Sequence, residues 1–170
     1  IIRSANEGNV VIGICGGFQI LGKKLIDNGF ESNREEIEGL GLLDVITRFD
    51  SSTKITKRVE GTVIGDGILE EFQGEVITGY EIHMGKTTQS DKSCFLINRG
   101  DEVIRDGAIK GSVFGTYVHG IFDKAPVRKA LLKAIKRPSE SIERDLDDEI
   151  NRLATIFSES VDVGKIEAFI

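Results

Sequence analysis

Cys15 stands in Gly13-Ile14-Cys15-Gly16-Gly17, entered from the apolar run Val10-Val11-Ile12 and left through Phe18-Gln19-Ile20-Leu21. A cysteine on a tight turn between strand and helix can serve as a nucleophile. Such a turn forces strained or left-handed backbone angles, and flanking glycines let strand and helix approach without a clashing Cβ, so the side chain is held outward. The first amides of the following helix favour thiolate over thiol. The Gly16 amide would then face the position where a tetrahedral oxyanion forms. The competing reading is a small core hydrophobe behind a buried strand. Cys94, in Ser93-Cys94-Phe95-Leu96-Ile97-Asn98, fits that second description, because it lacks flanking glycines and lies in an apolar run; it is expected to be buried and inert.

A nucleophilic thiol needs a base, and the chain offers His83 and His119 alone. His119 closes the apolar stretch Phe114-Gly115-Thr116-Tyr117-Val118. In an open parallel sheet, strand ends gather along one edge, so this position can meet an elbow cysteine far away in sequence. His83 lies in Gly79-Tyr80-Glu81-Ile82-His83-Met84-Gly85, where Glu81 and His83 share one strand face by the two-residue period. A hydrogen-bonded structural role is the ordinary reading for a histidine; the pairing with an elbow reverses it for His119.

The elements that must position these groups alternate between strand and helix. Val10–Ile14 reads as a buried strand, and Gly17 to about Asp27 as a helix stopped by Asp27-Asn28-Gly29. Ile1–Glu7 reads as the end of a preceding helix. Strands are expected over Leu42–Phe49, Lys54–Ile64, Glu75–His83, Cys94–Asn98 and Ser112–Val118, separated by glycine-rich turns. Asp123 and Pro126 announce a helix over Val127–Ile135, with Val127, Leu131, Leu132 and Ile135 as its apolar face. After the break at Pro138-Ser139, Ile142, Leu146, Ile150, Leu153 and Phe157 recur at helical spacing through an acidic stretch, and Asp162 is a candidate cap for a last short helix. These signals define an α/β fold, an open mixed or mostly parallel sheet flanked by helices, over residues 1–137, with residues 138–170 as an acidic helical extension packing on it.

Composition narrows the function classes. With 170 residues and 39% hydrophobic side chains the chain can bury one sizeable core. Two unlike cysteines without metal-ligand spacing suggest free thiols in a reducing compartment and no metal site. Residues 138–170 hold 3 basic and 9 acidic side chains and carry the whole net charge of −6. There is no basic stripe, no Trp and only two Tyr, which argues against nucleic acid as a partner. No apolar run approaches the roughly 20 residues of a membrane helix, so no membrane association and a cytoplasmic location are expected.

Five ordered motifs carry a resemblance: the elbow with Gln19, then Leu21-Gly22, then Gly39-Leu40-Gly41-Leu42-Leu43, then Gly79–Gly85, then Gly115-Thr116-Tyr117-Val118-His119-Gly120-Ile121-Phe122-Asp123. Over about residues 8–135 the chain resembles the C-terminal class I glutamine amidotransferase domains, flavodoxin-like in fold, of the cobyric acid synthase family. The resemblance implies that Cys15 attacks the side-chain amide of glutamine and that His119 serves as base. It implies that Gly16, Gly17 and Gln19 form the oxyanion and glutamine-binding positions, and that Glu81, His83 and Tyr117 are candidates for orienting or pocket roles. Many class I amidotransferases continue His-x-Glu, whereas His119 is followed by Gly120-Ile121. Either a Cys-His dyad suffices or another residue, Glu81 among them, orients the imidazole.

The resemblance also implies what lies elsewhere. The family's ATP- and Mg²⁺-dependent synthetase domain, which amidates corrinoid carboxylates, is expected outside these residues, as are the first strand and glycine-rich oxyanion loop of the glutaminase domain. No cofactor is expected in this chain. Val10–Ile14 would then stand beside an unfilled strand position, and these residues alone would be nearly inactive. Two rival readings remain: a cysteine hydrolase or deglycase of the same elbow superfold, and a non-catalytic corrinoid-biosynthesis subunit with a vestigial elbow.

Overall fold

The computed structural model describes residues 1–31, 35–50, 53–123, 125–136 and 146–160. The chain divides into two compact units, 1–139 and 140–170. The first unit opens with α1 (Ile2–Asn6), β1 (Val11–Ile14), α2 (Gly16–Leu21), β2 (Lys24–Asp27), β3 (Glu36–Glu38) and β4 (Val45–Phe49). It continues through β5 (Ile55–Val63), a 3-10 turn over Gly67–Phe72, β6 (Val76–His83), β7 (Lys86–Gln89), β8 (Phe95–Arg99) and β9 (Glu102–Asp106). It closes with β10 (Ala108–Lys110), β11 (Val113–Thr116), β12 (Val118–His119) and α3 (Ala125–Ala134). The second unit contributes α4 (Leu146–Ser160).

Among the described residues, three sheets organise the first unit: β1-β11-β10, β12-β6-β5-β8-β9 and β3-β2-β4-β7. This is the expected α/β class with mixed pairing. Among the described residues, the parallel content is confined to β1 with β11 and β2 with β4; the other named pairs are antiparallel. β1 lies at the edge of its sheet and is half-buried, with Gly13 its one buried residue.

Strand alternation decides what faces the core. On β6, Ile77, Gly79, Glu81 and His83 point inward while Val76 and Tyr80 are exposed. Ile77 therefore packs with Val59, Val63, Phe95 and Ile97 in the larger core cluster. Burial of each such side chain contributes about 1.5–3 kcal/mol. The same alternation carries the polar pair Glu81 and His83 onto the inward face. A second cluster, with Phe18, Leu21, Leu43, Val45 and Tyr117, ties α2 to β4 and to the turn after β11.

The helix expected from Gly17 to about Asp27 is cut short. α2 ends at Leu21, Gly22 takes an extended backbone (φ −69°, ψ −178°), and Lys24–Asp27 is a strand in register with β4. Gly22 is pressed on β4, where a Cβ would lie 2.6 Å from Val45 Cγ2, so the chain turns there. A short apolar run such as Leu25-Ile26 does not distinguish helix from strand, and pairing with β4 decides it. Asp27 keeps its turn role, its carboxylate accepting the Phe30 amide at 2.8 Å.

The last helix of the unit is also shifted. Its buried contacts are Val127 and Ala130, whereas Leu131 and Leu132 are half-buried and Ile135 is exposed. The expected face is therefore rotated toward Ala130. β3, β7, β9 and β10 were not anticipated, and Ser112–Val118 splits at Tyr117 into β11 and β12. Within α4, Leu146, Ile150, Leu153 and Phe157 recur at the expected spacing. Ile142, Pro138-Ser139 and Asp162 lie outside the described residues. Among the described residues no helix is long and apolar enough to cross a membrane.

Candidate active site

β1 delivers Cys15 at its end. The Cys15 amide still donates to the Thr116 carbonyl at 2.9 Å, so sheet pairing holds the residue as the chain leaves the strand. Its carbonyl already accepts the Gln19 amide at 3.2 Å, which begins α2. Between these constraints Cys15 sits at φ 55° and ψ −114°. Positive φ is strained for a residue with a Cβ, by about 1–3 kcal/mol. The thiol is half-buried and donates to the Ile82 carbonyl at 3.3 Å.

Two glycines make this turn possible. A Cβ on Gly13 would stand 2.5 Å from the Gly17 carbonyl oxygen, and one on Gly115 would collide with the Phe18 ring. Gly16 and Gly17 are different, since a Cβ on either meets nothing within 4 Å. The expectation that the glycines on both sides of the elbow serve close packing therefore holds for Gly13 alone of the three; the partner strand supplies the second, Gly115.

Cys15, Gly16, Gln19, His83, Met84 and His119 line a single cleft of about 440 Å³. His119 arrives on β12 with its Nε2 buried and, among the described residues, without a hydrogen-bond partner. Buried polar atoms nearly always have one, so the open position at His119 Nε2 singles out this imidazole among the side chains that line the cleft with Cys15. Gly17 does not join this cleft and borders a groove along β1 with Val11, Ile12 and Leu21.

Glu81 does not orient His119. β12 pairs with β6 so that His119 is in register with Tyr80, and the two-residue period turns Glu81 to the other face. Its carboxylate is buried, meets His83 Nε2 at 3.0 Å and forms a bidentate ion pair with Arg99. Burial pushes the Glu81 pKa up, but the hydrogen bonds from His83 and Arg99, together with the Arg99 charge, leave it below the ordinary value. Glu81 thus holds His83, whose Nδ1 donates to the Gly85 carbonyl at 3.1 Å.

His83 in turn forms a wall with Tyr117. The rings stack at 3.7 Å and 15°, and Phe18 meets Tyr117 edge-on at 5.1 Å. Gln19 Nε2 donates to the Met84 carbonyl at 3.2 Å and to the Tyr117 hydroxyl at 3.3 Å, which fixes the amide side chain at the cleft floor. A second cavity of about 290 Å³ lies against His83 and Tyr117 and is lined by Glu81, Arg99 and Asp106. Asp106 is buried; Thr116 Oγ1 and the Tyr117 amide donate to it. Burial nevertheless raises its pKa to about 6.

Sequence reasoning missed Lys54, Glu31 and Asp27, which also line the cleft, together with the apolar Leu25, Ile37 and Phe49. Asp27 and Phe49 carried only structural signals, as a turn and a strand end, and Lys54 and Glu31 belong to no chemical motif; these residues meet only when the sheets assemble. Cys94 is fully buried, with Sγ 3.7 Å from the Gly115 carbonyl, as expected of an inert thiol.

The sequence that builds this site is similar to those of known proteins. The pattern of the CobB/CobQ-like glutamine amidotransferase domain matches residues 1–127. The chain is 42% identical over 183 residues to cobyric acid synthase of Dehalococcoides mccartyi, which covers 100% of this chain and 36% of that protein. It is 40% identical over 182 residues to a probable cobyric acid synthase of Methanothermobacter thermautotrophicus, covering 98% and 36% respectively. The chain therefore spans 36% of the length of these relatives. A solved structure described as a glutamine amidotransferase superposes with TM-score 0.46 at 14% identity, over 79% of this chain and 66% of that one.

Proposed function

The chain belongs to the CobB/CobQ-like glutamine amidotransferase domain family, and we propose that it is the glutaminase part of a cytoplasmic cobyric acid synthase. One observation carries the mechanism: Cys15, strained at the elbow, and His119, whose buried Nε2 has no partner among the described residues, line one cleft. His119 Nε2 takes the Cys15 proton as sulfur attacks the side-chain carbonyl carbon of glutamine. The Gly16 amide, first in α2, stabilises the oxyanion. Collapse expels ammonia, which carries away the proton held by His119. Water then attacks the thioester, giving glutamate and restoring the thiol. The reaction as a whole converts glutamine and water to glutamate and ammonia.

The ammonia would be consumed by a synthetase domain that uses ATP and Mg²⁺. There it forms the b, d, e and g amides of adenosylcobyrinic acid a,c-diamide. The resemblance of the five motifs and the similarity to cobyric acid synthases support this destination.

The test uses the full-length protein. Cys15→Ala should lower glutamine-dependent amidation by roughly 10⁴-fold or more and leave amidation from added ammonia intact. His119→Asn should cost about 10²–10⁴-fold in the same assay. His83→Ala should retain measurable glutaminase chemistry. Wild-type glutamine turnover in Cys15→Ala would remove the nucleophile from the mechanism.

A further inference from the structure

The cleft is charged only at a few points, and two of those charges are uncommitted. Its apolar lining includes Leu25, Phe49, Ile82 and Met84. Three charged side chains line it besides: Asp27, Glu31 and Lys54. Asp27 is engaged in the turn after β2, accepting the Phe30 and Glu31 amides. Glu31 and Lys54 are exposed, and among the described residues neither side chain has a hydrogen bond or an ion pair. They come from different sheets. Glu31 follows β2, while Lys54 immediately precedes Ile55, which is in register with His83. That register sets Lys54 beside Met84, whose carbonyl holds Gln19, and two residues from Ile82, whose carbonyl holds the Cys15 thiol.

A cleft lined by a thiol, by apolar side chains and, among the described residues, by one unpaired cation and one unpaired anion matches a short zwitterion with an uncharged tail. We propose that Lys54 binds the α-carboxylate and Glu31 the α-ammonium group of the incoming glutamine, so that the enzyme selects the free amino acid over amide-capped or acylated forms. The inference rests on the glutaminase reading above and adds the residues that read the substrate's backbone end. Apolar walls then accommodate the methylenes, and the side-chain amide reaches Cys15. Neither residue takes part in the chemical steps, so the contribution appears in binding.

Steady-state glutaminase kinetics of the full-length protein with three compounds test the assignment: glutamine, glutamine α-amide and Nα-acetylglutamine. Lys54→Met should raise KM for glutamine roughly tenfold, the loss of one hydrogen-bonded ion pair, with little change in kcat. It should leave KM for the α-amide unchanged, and Lys54→Arg should restore most of the affinity. Glu31→Gln should raise KM for glutamine and leave that for Nα-acetylglutamine unchanged. Both side chains are exposed, so neither substitution endangers folding. A wild-type enzyme that hydrolyses glutamine while Lys54→Met and Glu31→Gln keep KM within about twofold overturns this inference alone. A wild-type enzyme that releases no ammonia from glutamine overturns the glutaminase reading, and this one with it.

Discussion

The two thiols of the chain occupy opposite extremes of the same unit. Cys15 sits at the open end of an edge strand, at positive φ, with its sulfur facing a cleft. Cys94 sits just before β8 among buried side chains, packed against the Gly115 carbonyl, where burial first and then the nearby Asp106 charge push its pKa well up. Under the proposed mechanism the same side chain is a nucleophile at one position and a filler at the other, according to backbone placement and solvent access. Gly115 separates the two: its missing Cβ admits Phe18 on the elbow side, while its carbonyl meets Cys94.

Three experiments would break or sharpen this contrast. The largest expected effect is in alkylation. Cys15 should react with iodoacetamide from the native state, whereas Cys94 should wait for opening of the core. A buried site exposed only by unfolding reacts at least about 10³-fold more slowly. Mass spectrometry of quenched aliquots reads both sites, and comparable rates would mean that Cys94 is not enclosed.

The second effect concerns Asp106, the charge beneath Cys94. Its folded pKa, raised to about 6, exceeds the ordinary unfolded value of about 3.9. The folded state therefore holds the proton more tightly over that window. The contribution is most favourable below about pH 4 and is lost as pH rises through 6, on the order of 2–3 kcal/mol in all. Asp106→Asn should remove this fall, as urea unfolding between pH 4 and 7 would show. Parallel stability profiles for wild type and variant would refute it.

The smallest effect compares glycine with alanine at each thiol. At position 15 glycine relieves the positive φ, so Cys15→Gly should exceed Cys15→Ala in stability by about 1 kcal/mol. At position 94 the order should reverse, because glycine relieves no strain there and leaves a larger void. Thermal unfolding of the four variants checks the sign at each site.

These contrasts also show which parts of the molecule were legible in the chain. The elbow was legible because its chemistry is written in adjacent residues, from Gly13 to Gln19. β5, β6 and β8 were legible through their β-branched and apolar residues and the glycine-marked turns between them. The edge strands Glu36–Glu38 and Lys86–Gln89 were not, because they are mostly polar and none of their residues is buried. Lys24–Asp27 was misread as helix because its partner β4 lies some twenty residues away. Glu81 was seen to share a face with His83, but its attachment to Arg99 on β8 depends on sheet order, which periodicity does not carry. The rim charges Glu31 and Lys54 had no signal at all.

The parallel pairing of β1 with β11 has a kinetic consequence. It joins segments near the two ends of the first unit, and the antiparallel hairpins of the larger sheet lie between them in sequence. Closing so long a loop carries a large entropic cost, which falls once the intervening strands have collapsed. We therefore expect the Cys15 amide, held by the Thr116 carbonyl, to gain protection late in refolding, after the β5–β6 amides; pulse-labelled hydrogen exchange showing the reverse order would exclude this. A nascent or partly folded chain would then carry its elbow thiol apart from His119, the base proposed for it, and reactivity at Cys15 would mark completion of the fold.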